Sequence, residues 1–387
     1  MKVLISVVGR FHAFDLAIQL EKHGVLKKIN TTYPKHIVAK WGISKDKITS
    51  NSILEILNRY IKKYVPNNVK KFLNLYIQKQ QAKSNVKLLN DVDVFIGWSG
   101  SSLEAIIEAK KRGVITILER GSSHYSYQME VLTEEFEAYN KVFTPDYNTW
   151  QRELLEYELT DYISIPSIFV KNTFLKLGIP ESKLLLNPYG VDLADFKQIT
   201  KTDDVFRVVY AGGFTLQKGV EYLLQAFYEL DLPNSELIHL GSVNEETNTI
   251  IEKYKRNNIK YLGHQKQNEL YKFYSQGSVF VMMSIQDGFG MVLTQAMSSG
   301  LSIITSTNTG GPDLVSANGE EGFVIDIRDV DALKEKLLFL YNNPDKCKRM
   351  GLKAKAKVSE GFSWDDYGNR YTKNLEVVLE NKKAKRN

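Results

Sequence analysis

The sequence predicts an α/β protein built from two doubly wound domains that face each other across a cleft. Short β-branched runs alternate with amphipathic stretches through most of its 387 residues. Those runs form two successive series, each apolar on both faces, as strands of a covered parallel sheet must be. A chain of this length also exceeds one ordinary core and suits two. Two βα series in succession therefore imply two such sheets.

The first series has strands expected at residues 3–8, 94–97, 114–118, 162–165 and 184–186. The second is expected at 206–210, 236–240, 259–262, 278–283, 301–305 and 322–325, with amphipathic helices at 220–230 and 330–340 among them. A polar stretch in 192–204 separates the two series. The domains expected are thus 1–195 and 196–365. The remainder, 366–387, belongs to a last helix starting near Trp364, with a basic tail.

Bulk composition narrows the class. With 43% hydrophobic and 25% charged residues the chain reads as globular, and its formal charge of +6 is compatible with anionic ligands. The single cysteine, Cys347, excludes an intrachain disulfide and has no thiolate-stabilising motif around it. The first apolar run is too short for a signal peptide core, and no run reaches about 18 apolar residues, so a cytoplasmic location is expected.

One region, 55–90, breaks the βα rhythm. Between Arg59 and Lys87 there are eight Lys or Arg residues and no acid, interleaved with Tyr60, Ile61, Tyr64, Phe72 and Tyr76. Pro66 divides it into two expected helices. Such a segment either lies on anionic lipid at the inner face of the membrane or packs as an ordinary helix with a solvated lysine face. No nucleic-acid module surrounds it, so nucleic acid is not an expected partner.

Chemistry concentrates in loops of the second series. After the strand at 278–283 comes Asp287-Gly288-Phe289-Gly290-Met291, opening a helix that carries Gln295. Its glycines permit a sharp turn and close ligand approach, and the N–H groups of Phe289, Gly290 and Met291 would favour an anion at the helix start. Val292, Leu293, Ala296 and Met297 form a stripe for the sheet, leaving Gln295 on another face, within reach of a sugar hydroxyl beyond the phosphates. After the strand at 206–210, Gly212-Gly213-Phe214-Thr215-Leu216-Gln217-Lys218 places a second glycine-rich loop and a lysine at a helix start. A third loop, Thr305 to Asp313, follows another strand; a capping turn and direct ligand contact both remain open for it.

These motifs in this order, with Gly263-His264 between them and Gly310-Gly311-Pro312-Asp313 after them, resemble the retaining GT-B glycosyltransferases of family 4. The resemblance implies two Rossmann-like domains around a central cleft, with a C-terminal helix crossing back to the first domain. It implies transfer of a sugar, with retention, from a UDP- or GDP-linked donor to a glycan or lipid-linked acceptor, as in surface polysaccharide assembly. By the same resemblance Lys218 binds the diphosphate, Asp287 and Gln295 stand where the family has its two motif glutamates, and His124 lines the reaction centre. Gly9 and Arg10 resemble the loop that closes over the phosphates.

Three departures stand out. The family's phosphate-loop arginine is Gly213 here, and Arg120 or Arg10 is expected to supply that charge from across the cleft. Aspartate at 287 keeps charge with shorter reach, and glutamine at 295 keeps an acceptor while adding donors. The competing readings are a nucleotide-sugar epimerase and a catalytically impaired nucleotide-sugar-binding protein on the same fold. A dehydrogenase is disfavoured, because no Gly-x-Gly-x-x-Gly follows the first strand. No tightly bound cofactor is expected, and no His/Cys/Asp/Glu cluster has metal spacing.

Overall fold

The computed structural model describes residues 1–384; the last three residues of the expected basic tail lie outside the described residues. Two parallel sheets form its framework. The first comprises β1 (Val3–Val7), β2 (Leu26–Thr31), β3 (Ile48–Ser50), β4 (Val94–Trp98), β5 (Ile115–Glu119), β6 (Tyr162–Ile165) and β7 (Leu184–Leu186). Its spatial order is β3-β2-β1-β4-β5-β6-β7. The second comprises β8 (Phe206–Ala211), β9 (Ser235–Leu240), β10 (Ile259–Tyr261), β11 (Val279–Met282), β12 (Ser302–Ser306) and β13 (Gly322–Ile325), in the order β10-β9-β8-β11-β12-β13.

Both expected doubly wound sheets are therefore present, and every strand expected from the apolar runs appears. Among the elements not expected from the sequence are β2, β3 and the helix Pro344–Gly361. In β2 the sequence Leu26-Lys27-Lys28-Ile29-Asn30-Thr31 interrupts the apolar run with lysines and with Asn30, whose buried amide donates to Ser84 Oγ and Asn85 Oδ1 at 2.8 Å. Edge strand β3 is three residues long. The helix Pro344–Gly361 is lysine-rich and contains Gly351, where an added Cβ would overlap the carbonyl oxygen of Gly300. There glycine serves close helix approach, a demand that helix propensity does not register.

Strand order reverses between β1 and β4 in one sheet and between β8 and β11 in the other. At such switch points the loops leaving neighbouring strands diverge and open a crevice at the strands' C-terminal ends. The loops after β8 and β11 are the two glycine-rich motifs, so the fold puts them side by side.

The chain passes between the sheets twice. Val191 N–H donates to Phe362 O at 2.7 Å, and Val191 and Ser363 form a parallel bridge where the two passages run together. The helix Trp364–Ala384 then packs on Ala13–Lys22 of the first domain. Gln19 Nε2 donates to Asp365 there at 2.9 Å, and a Cβ at Gly368 would crowd Gln19. Tyr367 and Tyr371 on this helix are fully buried. At roughly 1.5–3 kcal/mol for each large buried side chain, they fix the crossing helix far more firmly than its exposed ion pairs do.

Candidate active site

The site is built from the two switch-point loops. Gly290 sits at φ +75°, a conformation that side-chain-bearing residues rarely adopt, and turns the chain into the helix Met291–Ser298. Leu293 N–H bonds back to Gly290 O at 2.8 Å. The first-turn N–H groups of Met291 and Val292 are the helix's orphan donors, pointing out of its positive end. Phe289 is buried, its ring 5.6 Å from that of Tyr189, and its N–H reaches Asp287 Oδ1 at 3.4 Å.

From the other loop, Lys218 Nζ donates to Asp287 Oδ2, an ion pair between residues 69 apart in the chain. Both side chains remain partly exposed, at 26% and 20%. Gly212 has φ +138°, and at Gly213 an added Cβ would meet only Thr215 Cγ2, at 3.7 Å. The backbone at Gly213 thus leaves room for a side chain that this sequence lacks.

Across the cleft the domains touch directly. A Cβ at Gly288 would overlap the carbonyl oxygen of Gly121. Ser167 Oγ donates to Gly288 O at 2.6 Å, and Gln286 Nε2 to Ser122 Oγ at 2.6 Å. The Thr305–Asp313 loop is committed likewise: Asn308 Nδ2 donates to Ile285 O at 2.9 Å and to Tyr127 Oη at 3.2 Å. Asp313 accepts the N–H of Ile168 at 3.0 Å, and burial raises its carboxyl to about 6.

Beside this contact lies an open cavity of about 1090 Å³, walled by both domains. Arg10 and Trp41 stand on one side, Met291 and Gln295 on the other. The Arg10 guanidinium lies 3.5 Å over the Trp41 ring, and its buried Nε has no acceptor. Gln295 is 8% exposed and its buried Oε1 has no donor. Leaving a buried polar atom unpaired costs about 1–3 kcal/mol, and both of these residues line the same cavity. Gly9, next to Arg10 in the chain, is fixed by two bonds: its N–H donates to Thr32 Oγ1 at 2.9 Å, and its carbonyl accepts from Thr31 Oγ1 at 2.7 Å.

Arg120 and His124, both expected at the cleft, are engaged within the first domain. The Arg120 guanidinium is buried within its own domain, donating to Ser123 O at 2.9 and 3.1 Å and to Gln128 Oε1 at 3.1 Å, with Glu153 as its counter-ion at 3.2 Å. All of these partners lie in the first domain. His124 caps the helix Tyr125–Ala138, its Nδ1 accepting the Ser126 N–H at 3.2 Å. Its ring packs against those of Tyr157 and Phe174, with centroids 4.9 and 5.0 Å away. Burial, with Arg120 adding to it, lowers the imidazole to about 4, so at neutral pH it is an uncharged cap.

A different histidine lines the cavity. His12, which follows the Gly9-Arg10 turn, sets its ring 4.2 Å from Tyr189 and 5.0 Å from Trp98. Its Nε2 lies 3.0 Å from Glu119 Oε2, and Tyr371 Oη of the crossing helix donates to Glu119 Oε1 at 2.6 Å. Tyr189 Oη is buried with no partner, beside Gly121. The signal in the sequence was the Gly9-Arg10-Phe11-His12 turn after β1, but the residues His12 contacts, Trp98, Glu119 and Tyr189, are all distant in the chain.

Known proteins resemble this chain in part of its sequence and in its fold. Residues 192–357 match the family model of glycosyl transferases group 1. That span holds both glycine-rich loops and Gln295. An uncharacterized glycosyltransferase of Methanocaldococcus jannaschii is 31% identical over 157 residues, 41% of this chain and 44% of the relative. The capsular polysaccharide biosynthesis glycosyltransferase CapM of Staphylococcus aureus is 28% identical over 179 residues, 44% and 46% of the two chains. The matches thus span less than half the length of these relatives. Among solved structures, sucrose-phosphate synthase from Thermosynechococcus elongatus superposes with a TM-score of 0.72 at 16% identity, covering 98% of both chains. HepE from Anabaena, in complex with UDP, gives 0.70 at 14% identity, covering 97% of this chain and 100% of its own. At such identities the likeness is one of fold, and the fold is GT-B: two Rossmann-like domains with a C-terminal helix crossing back. Among the described residues no helix is long and apolar enough to cross a membrane.

Proposed function

We propose that this protein is a retaining glycosyltransferase that moves a sugar from a UDP- or GDP-linked donor to a glycan or lipid-linked acceptor in surface polysaccharide assembly. The observation that carries the reading is the Lys218–Asp287 pair at the mouth of the helix Met291–Ser298. A phosphate lysine and a sugar-facing carboxylate, read separately in the sequence, stand in contact beside orphan backbone donors.

In this reading a donor diphosphate takes Lys218 from Asp287 and accepts from the N–H groups of Met291 and Val292. Asp287, released, accepts hydroxyls of the sugar, and Gln295 meets the ribose. The anomeric carbon–phosphate oxygen bond breaks while the acceptor oxygen bonds to that carbon. The acceptor's proton passes to the departing phosphate on the same face. The protein's share is electrostatic: one lysine and a helix end already aimed at the charge that develops on the leaving group. The capsular and other glycosyltransferase relatives support the class of reaction.

A thermal-shift screen against nucleotide-sugars tests the reading. The true donor raises the melting midpoint because it binds the native state alone. Release of the nucleoside diphosphate should then require an added acceptor. Turnover without acceptor would point instead to an epimerase, and no shift with any donor would end the proposal.

A further inference from the structure

The two helices of the basic region bury a few apolar side chains and carry others outward. On Ser52–Arg59, Leu54 and Glu55 are buried while Ile53 and Ile56 are 76% and 51% exposed. On Asn67–Ser84 the buried side chains are Ile77, Gln81 and Ala82; Gln81 donates to Asn30 O at 3.0 Å, and beyond the helix end Asn85 donates to Ser6 Oγ at 2.8 Å. The outward stripe of that helix holds Val69, Phe72 and Tyr76, spaced three and four residues apart, with Phe72 66% exposed. Between the helices Tyr64 is 86% exposed. A water-facing helix has the opposite pattern.

These stripes adjoin a hollow of about 560 Å³ lined by Arg59, Lys62, Lys63 and Lys70. Among the described residues, Arg59 is the member of this group that is ion-paired, to Glu55. Burial lowers the pKa of the Lys62 ammonium, with Lys70 adding to the effect and Asp146 opposing it. The cluster therefore holds positive charge that nearby carboxylates do not fully balance. A second copy of this chain would bring the same lysines against these and repel them.

We infer that this face is a docking surface for an anionic lipid bilayer, with Tyr64, Phe72 and Ile53 entering the headgroup–acyl boundary and lipid phosphates occupying the basic hollow. Outward apolar groups flanked by unbalanced lysines are the composition an interfacial helix needs. The surface is joined to the cleft by a short hydrogen-bond path. Arg59 donates to Glu55, Glu55 accepts from Thr32 Oγ1, and that hydroxyl accepts the N–H of Gly9 at 2.9 Å. A molecule carried in the bilayer would thus be presented at the edge of the cleft. The inference rests on the exposed helices themselves and holds whether or not the bound donor is a nucleotide-sugar.

Vesicle co-sedimentation tests it, using phosphatidylcholine alone and phosphatidylcholine containing phosphatidylglycerol. The intact protein should bind the anionic vesicles, release in high salt, and leave the neutral vesicles unbound. Lys62→Gln with Lys63→Gln should weaken binding about 25-fold, at about fivefold per lysine. Tyr64→Ser with Phe72→Ser should weaken it at least about tenfold. Nucleotide-sugar titration on the same variants should remain unchanged, which separates this inference from the donor assignment. Absence of binding to anionic vesicles would overturn the inference, as would binding undiminished in both variants. Vesicle-independent dimerisation lost on Tyr64→Ser with Phe72→Ser would assign the face to a second copy instead.

Discussion

The two domains present the same strand ends to the cleft but differ in how their polar groups are used. In the second domain Lys218 is paired with Asp287, which also accepts the Phe289 N–H, and Gln295 Oε1 has no partner among the described residues. In the first domain Arg120 is bound into its own domain, His124 caps a helix, and Glu119 is shared by His12 and Tyr371. The difference teaches that charge at a strand end is not enough to make a binding group. A residue available to a ligand is one whose internal partners can be exchanged without leaving a buried charge unpaired, because breaking a buried pair costs far more than opening an exposed one.

The largest effect should come from the contact that joins the two domains. Gly288→Ala would drive a Cβ into the Gly121 carbonyl and displace the Asp287–Gly290 loop. Transfer should fall at least about 100-fold, as misplacing reacting groups by about 1 Å does. Far-ultraviolet circular dichroism should show both sheets intact. Normal turnover in this variant would mean that the domains do not close on this loop during the reaction.

Next is His124, where the comparison can be broken from the other side. The imidazole is lowered to about 4 in the folded protein and titrates near 6.5 when exposed. Its contribution to stability is present above about pH 6.5 and is lost as pH falls through about 4, because the unfolded chain takes up the proton first. The shift amounts to on the order of 3 kcal/mol. His124→Asn keeps a capping acceptor and removes the titration. Its melting midpoint should fall less than that of the parent between about pH 7 and about pH 4.5. Turnover should stay within about threefold; abolished turnover with intact folding would return His124 to the reaction centre.

The smallest effect sharpens the account of the second domain. An arginine at 213 would start from an uncrowded Cβ position, so Gly213→Arg should move the melting midpoint by no more than about 2 °C. It should tighten nucleoside diphosphate binding up to about tenfold, since a guanidinium would add a charge-assisted contact to phosphate. Unchanged affinity, measured by calorimetry, would place the phosphates away from this loop.

Much of the fold was legible because strand and helix spacing is local. β8 to β13 and the glycine loops between them show themselves in short windows of sequence. The elements that escaped depend on partners far away: Asn30 in β2 pairs with Asn85, and Gly351 in Pro344–Gly361 packs under Gly300. The candidate site divides along the same line. Lys218, Asp287 and Gln295 lie in local motifs. His12, Glu119 and Tyr189 gain their meaning from contacts spanning scores of residues, and the buried commitments of Arg120 and His124 are set by Glu153, Tyr157 and Phe174. Local pattern identifies residue types at a strand end, whereas burial determines whether a side chain is occupied.

The central claim is that Lys218 and the start of the helix Met291–Ser298 hold a nucleoside diphosphate. Calorimetric titration of the parent protein and of Lys218→Ala with UDP and GDP tests it directly. The parent should bind one of these nucleotides saturably, and the variant should bind it about 10- to 100-fold more weakly, the worth of one charge-assisted contact. Equal affinity in the two proteins would contradict it.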